Sequence, residues 1–195
     1  MNVESIRDKL INLSDNQPYV IIPCYLSVQA ALLDTFQLIK ESPTKATSLF
    51  QQEDLNDKKR RQVIGDMGVR KVAEFSLSVG RLMTQMCHKL KQSEIMILVS
   101  LPGSVEQRTH CDFNPNERNK EKTKQSYFVF LSVMPNTKLI GVIDQKKAVI
   151  NLSMGDLLIG RGCDFIHAGA GYEDVNIRFH RYFDYPGNGR QLHRT

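Results

Sequence analysis

The second half of this 195-residue chain predicts a mainly β fold, an antiparallel sandwich or barrel with helices from the first half packed outside it. Two observations carry that expectation. From Glu94 onward the chain falls into short runs rich in Ile, Val, Leu and Phe, divided by turn residues at close intervals. Before Glu94 the apolar residues recur at steps of three and four, the helical spacing. Hydrophobic residues make up 41% and charged residues 24%, enough apolar material for one domain to close a core without disulfides or a structural metal.

In chain order, Met1 to Leu13 reads as a short helix, and Tyr19-Val20-Ile21-Ile22, between Pro18 and Pro23, reads as a strand. Ser27 is a fitting N-cap for a helix to about Lys40, with Val28, Ala31, Leu32, Phe36 and Ile39 at helical spacing and Pro43 beyond its end. The polar stretch from about Ser42 to Asp57 reads as loop or short helix. A longer helix is expected from about Val72 to Leu90, because Phe75, Val79, Leu82, Met83, Met86 and Leu90 fall on one face. That stripe is a packing surface for the outside of a sheet rather than a cofactor box. The expected strands are Ile95–Ser100, Tyr127–Met134, Leu139–Ile143, Ala148–Leu152, Asp156–Gly160, Asp164–Ala168 and Val175–Phe183. Turn signals separate most of them, among them Leu101-Pro102-Gly103, Pro135-Asn136, Asp144-Gln145 and Met154-Gly155. The polar segment between Asp112 and Ser126 reads as a loop near a barrel mouth, a common place for substrate contacts or a lid.

The formal charge is +5, with Lys58, Lys59, Arg60 and Arg61 in one cluster and Lys120, Lys122 and Lys124 in another. The ordinary reading is a solvated helix end and a solvated loop. Basic clusters at 58–61 and 118–124 also suit a nucleic-acid or acidic protein partner, but no aromatics alternate with them to make a base-stacking platform. The first residues lack the apolar run of a signal peptide, and no window approaches a membrane span. Cys24, Cys87, Cys111 and Cys163 are scattered, with no CxxC pair. The expectation is a soluble, intracellular protein with reduced thiols, in cytoplasm or nucleus.

His110, Asp112 and His167 carry the chemistry. Side chains two apart in an extended segment share a face, so His110 and Asp112 converge while Cys111 points away. Fifty-five positions later (167 − 112) stands His167, with several strands between, so the chain has room to wind round and return. Two imidazoles and one carboxylate leave open positions on an octahedral metal, the pattern of oxygen-activating iron(II) sites. Alone, His-x-Asp is weak, since five histidines and twenty-one acids produce such pairs by chance. Arg178, eleven positions after His167 (178 − 167), strengthens it. Asn176, Arg178 and His180 share one face of the last strand, while Ile177 and Phe179 take the other. An inward arginine is costly without an anion, and a dicarboxylate supplies one through paired hydrogen bonds.

The run Gly155-Asp156-Leu157-Leu158-Ile159-Gly160-Arg161-Gly162-Cys163-Asp164-Phe165-Ile166-His167-Ala168-Gly169, followed by Asn176-Ile177-Arg178, resembles the C-terminal core of the 2-oxoglutarate- and iron(II)-dependent dioxygenases. Thr109–Phe113 resembles that family's HxD element, and the strand at Tyr19 leading to the Ser27 helix is similar to the usual start of the fold. The likeness is good over residues 95–185 and loose over 18–40. It implies a double-stranded β-helix (jelly-roll, cupin-like) core buttressed by N-terminal helices, in one domain over 1–195. Residues 1–93 would supply the helical support and first strand, 94–185 the core and 186–195 a tail.

It further implies His110, Asp112 and His167 as iron ligands and Arg178 as partner of the far carboxylate of 2-oxoglutarate, with O2 as co-substrate and ascorbate as an optional reductant. Tyr127 is a candidate second donor to 2-oxoglutarate, and Asn176 and His180 are candidate pocket residues; an ordinary core tyrosine and groups satisfying backbone are the plainer alternatives. Gly160 replaces the aromatic often found before Arg-Gly and is expected to enlarge the pocket. The reaction implied is hydroxylation of a C–H bond with release of succinate and CO2; Asp112 argues against halogenation, which needs that ligand position vacant. A protein side chain, a nucleic acid and a small molecule all fit as substrate, although the dense arginine motif of the base-repair enzymes is absent. A cupin-like metal protein and a non-catalytic binding module on the same barrel are the competing readings.

Overall fold

The computed structural model describes residues 3–13, 17–23, 25, 47–48, 59–68, 70–113 and 125–187. The expected helix from Ser27 to about Lys40 and most of the loop after Asp112 lie outside these residues. The described elements are α1 (Val3–Ile11), β1 (Tyr19–Ile22), β2 (Thr47–Ser48), β3 (Arg60–Ile64), α2 (Arg70–Met86), β4 (Lys91–Gln92), β5 (Met96–Ser100), β6 (Tyr127–Ser132), β7 (Thr137–Ile143), β8 (Lys146–Leu152), β9 (Leu157–Arg161), β10 (His167–Gly169) and β11 (Asn176–Asp184).

Two antiparallel sheets result. The larger runs β1-β9-β6-β11-β5-β3-β2, with β4 pairing the end of β11, and the smaller runs β10-β7-β8. His110 extends the smaller sheet through an isolated bridge to His167. After β5 the chain therefore visits the smaller sheet at His110, the larger at β6, the smaller at β7 and β8, the larger at β9, the smaller at β10, and the larger again at β11. That winding between two facing sheets is a double-stranded β-helix, as expected.

Strand alternation divides the interior into two layers. On β6 and β11, Tyr127, Val129, Leu131, Ile177, Phe179 and Phe183 join a core with Ile6 and Leu10 of α1 and Val72, Phe75, Val79 and Met83 of α2. The rings of Phe75 and Phe179 lie 5.6 Å apart across that seam. Burying side chains of this size contributes roughly 1.5–3 kcal/mol each. Arg181 shares this face, donating from Nε to the Ser93 carbonyl at 2.7 Å and from Nη1 to Ser76 Oγ of α2 at 2.8 Å. The alternate residues Phe128, Phe130 and Leu158 turn the other way and meet Leu139, Ile150, Leu152 and Phe165 between the sheets.

Several expectations need correction. α2 ends at Met86 rather than Leu90, giving way to a turn at His88–Lys89. Strands β2, β3 and β4 were not expected. β3 begins with Arg60 and Arg61 of the basic cluster read as a solvated helix end, and Arg60 is only 1% exposed. Lys59 and Arg61 are exposed as expected. Gly160 does not enlarge the pocket, because Phe128 and Phe165 fill the space: a Cβ there would stand 2.6 Å from the Phe128 ring and 2.8 Å from that of Phe165. Cys87, Cys111 and Cys163 form no disulfide among the described residues, and Cys24 lies outside these. No described helix is long and apolar enough to cross a membrane.

Candidate active site

His110 and His167 are held side by side by a closed pair of backbone hydrogen bonds, His110 N–H to the His167 carbonyl at 2.8 Å and His167 N–H to the His110 carbonyl at 2.9 Å. Their rings lie 4.8 Å apart between centroids, tilted by 50°. Asp112, two residues on, completes the group: one donor atom from each of the three lies within 4.8 Å of the others. Asp112 Oδ1 is 3.8 Å from His110 Nε2, and Asp112 Oδ2 is 3.6 Å from His167 Nε2. Asp112 and His167 are buried, whereas the His110 side chain is 22% exposed, so the group opens on the His110 side.

Each imidazole is oriented by the backbone two residues before it. His110 Nδ1 is 3.1 Å from the Arg108 carbonyl, and His167 Nδ1 is 3.0 Å from the Phe165 carbonyl. A carbonyl only accepts, so Nδ1 carries the proton in both rings and the Nε2 lone pairs are directed at the space beside Asp112. Burial, outweighing the raising effect of Asp112, holds the His167 pKa below its ordinary value and keeps that lone pair available.

This donor set fits a divalent metal ion. Asp112 Oδ2 is buried with no hydrogen-bond partner among the described residues, a costly arrangement for a carboxylate that a cation would relieve. Two neutral nitrogens and one carboxylate oxygen, with ring protons committed to carbonyls, match the facial set of non-haem iron(II) sites. Neither Cys111 nor Cys163 belongs to the group.

β11 supplies the floor of the site. Arg178, His180 and Tyr182 project from the same face and pair across the ladder with Ser132, Phe130 and Phe128 of β6. Tyr182 donates its hydroxyl to Asp112 Oδ1 at 3.2 Å. The Phe128 ring stacks on His167 at 4.5 Å. His180 sits between, with the Tyr182 ring edge-on at 4.5 Å and Phe128 at 5.8 Å. Burial pushes its pKa down to about 4, with Asp112 opposing and His167 and Arg178 adding to the drop, so it is a neutral imidazole at pH 7. Arg178, 2% exposed, donates from Nη1 to Ser100 Oγ at 2.8 Å, with its guanidinium 5.7 Å from the Phe130 centroid and 5.6 Å from that of Tyr172.

The structure thus brings together His110, Asp112 and His167, and places Arg178 and His180 on the adjoining wall. Asn176 shares that wall's face at the far end of β11, where its Nδ2 donates to Thr137 Oγ1 at 3.0 Å. Tyr127 does not join them. It pairs with Phe183 on the opposite face and lies in the helix-backed core, where burial raises its hydroxyl pKa to about 12. Tyr182, Phe128 and Ser100 escaped the sequence reading. Tyr182 carried a signal, since it continues the alternation of Arg178 and His180; nothing local marked Phe128 or Ser100.

No sequence-family model matches the chain, and no curated protein matches it by sequence. Solved structures do. A prolyl-4-hydroxylase from Pseudomonas putida superposes with a TM-score of 0.70 at 11% identity, over 95% of this chain and 100% of its own. A Trichoplax adhaerens prolyl hydroxylase, in complex with a hypoxia inducible factor oxygen degradation domain fragment, gives 0.72 at 12% identity, over 94% of this chain and 90% of its own. The fold is that of the 2-oxoglutarate oxygenases. A non-heme, alpha-ketoglutarate-dependent carbocyclase, SnoK of nogalamycin biosynthesis, shares this oxygenase fold at 0.69 and 15% identity, over 94% of this chain and 86% of its own. Identities of this size carry the architecture, and chemistry rests on the residues.

Proposed function

We propose that the protein is a non-haem iron(II)- and 2-oxoglutarate-dependent dioxygenase that hydroxylates a C–H bond, releasing succinate and CO2. The single observation that carries this reading is the meeting of His110, Asp112 and His167, from segments far apart in the chain, with their donor atoms within 4.8 Å and a buried arginine on the neighbouring wall. Support also comes from the oxygenase fold and from the completeness of the ligand set, which a non-catalytic member of the barrel has no need to keep. The cupin-like alternative is weaker, because no fourth ligand joins the three among the described residues.

In this reading His110 Nε2, His167 Nε2 and Asp112 hold the metal, and Arg178 grips the far carboxylate of 2-oxoglutarate through its planar fork. A ferrous ion there supplies the coupling of O2 reduction to decarboxylation of the keto acid. The protein's part is geometric and electrostatic. The Arg108 and Phe165 carbonyls fix the imidazole tautomers, Tyr182 fixes the carboxylate, and Phe128, Phe130 and Phe165 exclude water from the inner wall. His180, neutral and buried between Arg178 and Tyr182, lines the path between anion clamp and metal.

Anaerobic titration with iron(II) and 2-oxoglutarate tests the reading. A weak visible charge-transfer band is expected for the wild type and is lost in His110→Ala and in His167→Ala. In Arg178→Ala the 2-oxoglutarate affinity falls while iron binding survives. An Arg178→Ala protein with wild-type co-substrate affinity shows that the anion clamp lies elsewhere, and a wild type that binds no iron sinks the whole reading.

A further inference from the structure

Arg60 has no place in the site described so far, yet it is among the most deeply buried side chains of the molecule, at 1% exposure. It stands at the first position of β3, opposite Ser100 of β5. Its guanidinium reaches three separate pieces of the site's framework. Nη1 donates to Ser100 Oγ at 3.2 Å, the hydroxyl that also receives Arg178 Nη1 at 2.8 Å. Nη2 donates to the Val105 carbonyl, five residues before His110, and to the Ala170 carbonyl at 2.7 Å, three residues after His167.

Those two carbonyls belong to segments that are zipped to each other. Ser104 bridges Tyr172, Gln107 N–H donates to the Gly169 carbonyl at 2.9 Å, Gly169 N–H donates to Gln107 Oε1 at 2.9 Å, and His110 pairs with His167. The approach is so close at Gly169 that a Cβ would stand 2.6 Å from Arg60 Nη1 and would collide with Gln107 Oε1. Buried carbonyls without a donor are costly, and a guanidinium is the one side chain whose donors fork widely enough to serve several at once.

We infer that Arg60 is a positioning residue for both halves of the site, holding the two histidine-bearing segments together and, through Ser100, setting the place of Arg178. This rests on the dioxygenase reading and goes beyond it in naming a device that couples metal site to co-substrate clamp. Arg60 acts on the 2-oxoglutarate affinity by way of Ser100 Oγ, and on the metal affinity by way of the Val105 and Ala170 carbonyls. The two arms are separable: Ser100→Ala cuts only the first, and Arg60→Met cuts both while keeping the side chain's bulk.

The test uses the whole 195-residue chain, anaerobic, with iron(II) and 2-oxoglutarate. Iron affinity is read by equilibrium dialysis, co-substrate affinity by the charge-transfer band, and fold integrity by the thermal midpoint of the metal-free form. Arg60→Met is expected to lose about tenfold or more in 2-oxoglutarate affinity and about tenfold in iron affinity, the lower end of the range typical of groups that orient metal ligands. Ser100→Ala is expected to lose 2-oxoglutarate affinity with iron affinity unchanged, and Arg60→Lys to recover part of the iron affinity. A purely structural role lowers the midpoint of Arg60→Met and leaves both affinities of the folded protein at wild-type values, which overturns the inference. Should Arg60→Met fail to fold, Ser100→Ala decides alone: wild-type co-substrate affinity in that variant is equally fatal. A wild type that binds neither iron nor 2-oxoglutarate fails at the control and refutes the dioxygenase reading itself.

Discussion

The two oxygens of Asp112 have different surroundings. Oδ1 accepts the Tyr182 hydroxyl at 3.2 Å, whereas Oδ2 is buried 3.6 Å from His167 Nε2 with no hydrogen bond among the described residues. Tyr182 therefore restricts how the carboxylate turns and leaves one oxygen for a cation. Tyr182→Phe keeps the ring's packing against Phe113 and His180 and removes that restraint. We expect metal affinity to fall roughly tenfold, with the thermal midpoint of the metal-free protein unchanged, as measured by dialysis and calorimetry. The neighbouring histidines give the fold an acid limit. His180 is held at about 4 in the folded protein against about 6.5 in an unfolded chain, and burial shifts His167 in the same direction. Above pH 6.5 both states are neutral and nothing is gained or lost. Below it the unfolded chain takes protons that the folded one refuses, so stability falls by up to about 1.4 kcal/mol per unit, reaching about 3 kcal/mol from His180 alone by pH 4. Urea midpoints of the metal-free protein at pH 7.5, 6 and 5 should decline accordingly, and His180→Gln should flatten part of that decline.

At the scale of elements, β11 is the central piece. It pairs with β5 on one side and β6 on the other, so its register places Arg178, His180 and Tyr182 in one row facing the smaller sheet. The opposite row, Ile177, Phe179 and Phe183, is gripped by α2 and cannot slip by one residue without exchanging the two sets. The smaller sheet hangs on the β7–β8 hairpin, which pairs residue for residue from Thr137↔Leu152 to Ile143↔Lys146. Its two-residue turn places Asp144 at φ 49° and Gln145 at φ 62°, conformations that glycine adopts without a Cβ penalty. Gln145→Gly creates the Asp-Gly pair favoured in such turns and should stabilise the protein by about 0.5–1 kcal/mol, read as a higher urea midpoint at constant slope. His167 pairs with Gly141, three residues before Asp144 of this turn, and the substitution leaves that pairing in place, so activity should not change.

For the whole molecule, the metal-binding group is a report on the closed barrel. His110 and Asp112 follow β5, and His167 begins β10, so they meet only after β6 to β9 have wound between them. A ligand that binds the folded state alone stabilises it by mass action. A divalent ion at about 100 times its dissociation constant should therefore add about 2.7 kcal/mol to the unfolding free energy of the wild type and nothing to that of His167→Ala. Adding 2-oxoglutarate should raise the wild-type midpoint further only when the metal is present. An equal rise without metal would place the co-substrate somewhere other than beside His110, Asp112 and His167.

The sequence by itself determined the strand-rich half, most of its turns, the helical stripe of α2 and the alternation that puts Arg178 and His180 on one face, because each is a local pattern of period two or near four. It also pointed to His110, Asp112 and His167 through spacing. Tertiary structure alone decided the rest. β6 is buried on both faces, so its alternation carried no mark of which side met the site, and Tyr127 went to the helices while Phe128 went to His167. β3 begins with two arginines that read as solvated, yet pairing with β5 carries Arg60 to carbonyl and hydroxyl acceptors brought in from distant segments. Whether a charged or aromatic side chain faces water, core or site depends on partners that lie far along the chain, and no local pattern contains them.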